Sequence, residues 1–158
     1  MNCSIVLLLR RPRFFSKKEL EEAGEKGFHR PFGEEGSMYF VVHDPPVTLI
    51  KAGTNVINVL HASEPYLNDV GYVAAQLPQE EQRKAWLQHS AWAALDLWNP
   101  DSGKKEAYDA LARFALQLGD DDCCGVYLPK EQMMMPNDGT AEQGLRMMIE
   151  QELPFGRS

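Results

Sequence analysis

Four histidines, one aspartate inside an apolar run and two adjacent cysteines are the side chains of this chain that could do chemistry. His89 and Asp96 flank Trp92, and a histidine held by a buried carboxylate is how a general base is oriented. They stand seven residues apart, so on a strand their odd separation puts them on opposite faces. Asp96 then reads as an acceptor for backbone or indole donors and His89 as a helix end. His61, His89 and Asp96 are the candidates for a catalytic role. His29, His43, His61 and His89 show no ligand spacing such as two histidines four apart on a helix, so no metal is expected. His43 and His61 close two proposed strands and could meet across a sheet.

Cys123 and Cys124 follow Asp120, Asp121 and Asp122, whose charges oppose the thiolate that a nucleophile needs, so small core residues are expected there. The three aspartates lack the alternating ligands and closing glutamate of a calcium loop. Gly24, Gly27, Gly33 and Gly36 form no phosphate fingerprint, and no Gly-Lys-Ser/Thr occurs. No cofactor is expected. For binding, the candidates are Arg10, Arg11 and Arg13 around Pro12, which could take an anion; Met133, Met134 and Met135, whose adaptable side chains suit a docking surface; and Trp92.

The elements that must position these groups follow from local pattern. Ser4 to Arg10 is a continuous apolar run and reads as a strand buried on both faces, hence central. Ser16 precedes Glu19 at capping-box spacing and opens a helix to about Lys26, with Gly27 as its stop. Strands are expected at 38–43, 47–51 and 55–61, joined by the Asp44-Pro45-Pro46 and Ala52-Gly53-Thr54 turns into an antiparallel meander. In the third, Val56, Asn58 and Leu60 share one face and Asn55, Ile57, Val59 and His61 the other.

Helical patterns follow at 69–76 and 79–88. Residues 91–98 are ambiguous: alanine favours helix, while alternation favours a strand, which is preferred. A turn at 99–103 leads into a helix from Lys104 to Leu118 ended by Gly119. A strand at 124–128, a methionine-bearing loop at 129–139, a helix at 140–152 and a loose tail from Pro154 complete the chain.

At 158 residues one domain is expected, with enough length for a real core. The net charge of -7 is uneven: residues 1–30 carry seven basic and four acidic side chains, and the remainder nine and nineteen. An acidic body repels phosphate backbones, so no nucleic-acid partner is expected. The run Ile5 to Leu9 is too short to span a bilayer and has no basic region before it, so neither a membrane nor a secretory leader is expected. Three cysteines, two of them adjacent, suggest no disulfide framework and a reducing cytoplasm.

Ser4 to Phe14, taken with Ala91 to Asp96, resembles an uncharacterised bacterial family of unknown function. The shared features are the opening strand, the Pro46-to-Leu60 hairpin region, an Ala-Trp-x-x-hydrophobic-Asp segment after a charged helix, and a late strand at Gly125 to Pro129. The resemblance implies an α+β fold and a strand at 91–98; it brings no activity, cofactor or catalytic residue.

The expected fold is therefore a single α+β domain, a mixed or mostly antiparallel sheet of five to six strands with helices packed on it. The expected function is a non-catalytic cytoplasmic protein-interaction or self-association module. The alternative is a small-molecule-binding or hydrolytic enzyme with a pocket near Tyr39, His61, Trp92 and Asp96.

Overall fold

Alternation and capping translate into twelve elements in the computed structural model, which describes residues 2–98 and 103–155. The turn expected at 99–103 lies almost wholly outside the described residues. In chain order they are β1 (Asn2–Leu9), α1 (Lys17–Phe28), β2 (Tyr39–Asp44), β3 (Val47–Ala52), β4 (Asn55–Ala62), α2 (Val70–Gln76), α3 (Glu80–Gln88), β5 (Ala91–Trp98), α4 (Lys104–Leu118), β6 (Cys123–Leu128), β7 (Met133–Pro136) and α5 (Thr140–Ile149). The fold is α+β.

All seven strands join one antiparallel sheet in the order β2-β3-β4-β5-β1-β6-β7. β1 lies inside it, between β5 and β6, as its two-sided apolar pattern requires. The expected meander is β2-β3-β4. Residues 91–98 form a strand, because Ala91, Ala93, Leu95 and Leu97 alternate onto the core side.

Period-2 alternation gives the sheet two unlike sides. One side carries Cys3, Ile5, Leu7 and Leu9 of β1 and the odd residues of β5, and it is covered by α1, α4 and α5. Ala91 and Ala93 of β5 face a helix that is itself rich in Ala107, Ala110, Ala112 and Ala115, so small side chains let the two layers approach. The other side carries Val6, Leu8 and Ala94, and here Trp86 of α3 and Ala74 of α2 close a smaller core. α3 packs against β6 and β7. No residue of β2, β3 or β4 joins that smaller core.

Four local expectations change. Gly27 does not stop α1, which runs to Phe28 and is capped by His29 in the left-handed region. Gly27 instead permits close packing of α1 on α4, since a Cβ there would sit 2.7 Å from the Arg113 carbonyl. The 129–139 loop contains β7, paired residue by residue with β6, so the sheet has seven strands rather than five to six. The tail is not loose at its start: Phe155 packs its ring 5.1 Å from that of Tyr108.

Candidate functional site

A cavity of about 410 Å³ opens where the ends of β2, β3 and β4 meet the segment before α1. Its apolar wall comes from Phe14, Phe15, the Pro45-Pro46 turn, Val59 and Leu60, and its polar groups are His43, Thr48 and His61. The two prolines close the β2–β3 hairpin through a cis peptide bond. The capping box at Ser16 fixes where α1 begins, which seats the Phe14-Phe15 pair beside β4. Phe15 is buried, Phe14 is exposed, and both rings stand just over 5 Å from the His61 ring.

His61 accepts the Phe15 backbone N–H on Nε2 at 3.3 Å. Its proton is therefore on Nδ1 and the ring is neutral. Burial, and secondarily the neighbouring His43, push its pKa below the usual histidine value. His43 shares a 2.9 Å hydrogen bond between Nδ1 and the Thr48 hydroxyl. A hydroxyl beside an imidazole is the start of a nucleophilic device, which also needs a group to orient the imidazole. Among the described residues no carboxylate hydrogen-bonds His43. The arrangement suits binding better than hydrolysis.

The four residues expected to share one pocket are dispersed. Tyr39 and His61 lie on the helix-covered side of the sheet, Trp92 and Asp96 on the other, as their strand parity dictates. Tyr39 belongs to an aromatic group with Phe28 and Phe32, with the Arg30 guanidinium 4.0 Å over its ring. Asp96 lies between Ser4 of β1 and Asn58 of β4, half-buried. Trp92 is also half-buried, edge-on to Tyr66. The fully buried tryptophan is Trp86.

His89 caps α3 and is buried, as a helix-end reading requires. Its Nε2 accepts the Tyr66 N–H at 3.0 Å, and its Nδ1–H donates to the Trp86 carbonyl. Burial lowers its pKa, partly offset by that bond to Trp86. Both ring nitrogens are occupied, which removes His89 as a base.

The basic cluster is spent internally. Arg10 donates to the Asp121 carbonyl and to Gln88, Arg11 lies 3.6 Å from Asp122, and Arg13 bonds the Leu118 carbonyl and pairs with Glu19 and Asp120. Two of the arginines pair with aspartates of the 120–122 run, Arg11 with Asp122 and Arg13 with Asp120, while Arg10 bonds the Asp121 backbone carbonyl, across the exit of β1. The methionine surface is likewise corrected: Met134 and Met135 are buried and only Met133 is partly exposed. Alternation sends Met135 to the large core and Met134 to the small one. Gln82 donates to the Met134 carbonyl at 2.9 Å and so covers part of this sheet edge.

Sequence reasoning missed one polar network. Glu131 accepts from the buried Tyr108 hydroxyl at 3.2 Å and pairs with Lys104 at 3.3 Å. Burial and the neighbouring Cys3 and Glu131 push the tyrosine pKa far up. No local spacing announces this group, since Glu131 sits on a turn 23 residues from Tyr108. The cysteines are free and buried, and burial pushes the Cys123 thiol up to about 12, so it stays protonated.

Among the described residues no three His, Cys, Asp or Glu side chains gather as a metal site, and no helix is long and apolar enough to cross a membrane. Compared with known proteins, the chain matches no family model, no curated protein and no solved structure.

Proposed function

We propose that the protein is a non-catalytic, cytoplasmic module that pairs with a second copy of itself through the side of β2 to β5 that the helices leave open. The observation that carries this reading is the exposure of apolar side chains there: Val47 at 49%, Val56 at 39%, Leu60 at 45% and Trp98 at 61%. Between them a cross-strand row runs Val42, Leu49, Asn58, Asp96, Ser4. Strand spacing and rise give the patch a footprint of roughly 400 Å², the scale at which apolar surface on a monomer is commonly functional. Free, buried cysteines favour a reducing compartment.

A second copy is favoured over an unrelated partner by charge. The chain carries -7 overall, yet this side presents few charges: Lys51 on β3, Asp96 on β5 and Asp44 at the end of β2. β3 and β5 flank β4. A two-fold axis running along β4 would lay β3 of one copy over β5 of the other and bring Lys51 toward Asp96 twice. Such self-complementarity is what an isologous interface requires, and face-to-face sheets pack in this way.

Sedimentation equilibrium tests the reading. The native protein is expected as a dimer at roughly 100 μM, a modest affinity for a patch of this size. Leu60→Lys and Val56→Lys should give monomers with unchanged circular dichroism. Lys51→Glu and Asp96→Lys should each weaken pairing, and the double exchange should restore it. A native protein that stays monomeric at that concentration overturns the reading.

A further inference from the structure

We propose that the cavity between the β2–β3 turn and the segment before α1 is a binding site for a small aromatic carboxylate, held by His61 and His43 against an apolar wall. The volume, about 410 Å³, falls in the range of small-molecule sites. The wall offers flat, apolar contacts from Phe14, Pro45 and Pro46, which suit a planar ring.

The polar side of the cavity selects the other half of the ligand. His61 has its Nε2 lone pair taken by the Phe15 N–H, so its remaining ring nitrogen is a donor. His43 is fixed through Nδ1 by Thr48, leaving Nε2 for a ligand. No carboxylate lines the cavity. A site with the His61 N–H as a donor and no acid of its own calls for an acceptor, and a carboxylate is the strongest acceptor available.

Charged and titratable groups on the surrounding elements include His43 on β2, Asp44 on β2 and Lys51 on β3, both of which alternate to the opposite side of the sheet, and Arg13 with its partner Glu19 at the start of α1. The Arg13 guanidinium stands 4.7 Å from the centre of the Phe15 ring, a fixed positive charge behind the wall. Asp44, exposed at the turn, opposes an anion. The cavity opens mainly on the helix-covered side of the sheet but shares Leu60 with the proposed pairing surface, so Val56→Lys, which lies outside the cavity lining, is the variant that separates the two proposals.

Benzoate is the probe, with benzamide and acetate as controls, followed by imidazole NMR shifts and titration calorimetry on the full chain. Benzoate should shift the His61 and His43 ring signals and bind at least tenfold tighter than either control. His43→Gln, a change at an exposed side chain, should lower benzoate affinity about tenfold; His61→Gln should do the same if it folds. Equal binding of benzoate and benzamide, benzoate binding unchanged in His43→Gln, or no shift of either imidazole at 10 mM benzoate would each overturn the proposal.

Discussion

Arg13 Nη1 lies 3.1 Å from Asp120 Oδ2, and the same nitrogen donates to the Leu118 carbonyl. One arginine thus ties the exit of β1 to the end of α4, while its Nη2 meets Glu19 at the start of α1. Its side chain is largely shielded, whereas both acids are partly in solvent, so the carbonyl bond matters more than the ion pairs. Arg13→Ala should cost about 1 to 2 kcal/mol in urea unfolding. Arg13→Lys should recover less than half, because an ammonium cannot serve three acceptors in one plane. A loss under about 0.3 kcal/mol would show that the cluster is solvated after all.

Acid should weaken the fold below neutral pH through two histidines. His61 and His89 both have pKa values lowered by burial. An imidazole that binds its proton less readily when folded stabilises the native state fully above the ordinary value of 6.5. That contribution is lost as pH falls from there toward the folded value. Each site can contribute at most about 1.4 kcal/mol per pH unit within that window. Thermal midpoints measured from pH 7.5 to pH 5 should fall, and less steeply in His61→Gln.

Trp86 and Trp92 should respond differently to truncation. Trp86 is fully buried, so Trp86→Ala should cost about 3 to 5 kcal/mol. Trp92 packs on Tyr66 with one side open, and Trp92→Ala should cost less than half as much. The Trp86 indole Nε1 is buried with no hydrogen-bond partner among the described residues. Trp86→Phe removes that unsatisfied donor and should cost only about 1 to 2 kcal/mol. Denaturant titration separates the three variants.

Gly27→Ala should destabilise despite the better helix propensity of alanine. The gain in α1 is about 1 kcal/mol, but the new methyl meets the Arg113 backbone carbonyl, which also receives no relief from a flexible side chain. A net loss of about 1 to 2 kcal/mol is expected. A rise in thermal midpoint would show that α1 and α4 can separate without cost.

Much of the architecture was legible because it depends on spacing within one element. The capping box at Ser16 and the buried run of β1 needed no distant neighbour, whereas His89 precedes β5 as the C-cap of α3, so strand parity does not govern its relation to Asp96. Parity did decide against the four-residue pocket: Tyr39 and His61 face one side of the sheet, Trp92 and Asp96 the other, once the register of β2 to β5 is known.

What the sequence by itself determined was therefore the local grammar: an α+β order of elements, three meander strands and a single interior first strand. What only the tertiary structure decided was the company each side chain keeps. Arg13 meets a carbonyl 105 residues away, and His61 meets a backbone N–H 46 residues away. Met133 to Pro136 is a strand only because β6 lies beside it, since four residues carry too short a pattern to declare themselves. The physical reason is common to all three. Hydrogen bonds, ion pairs and burial act through space, and the distances that switch them on are set by sheet order and helix packing, which no short window of sequence contains.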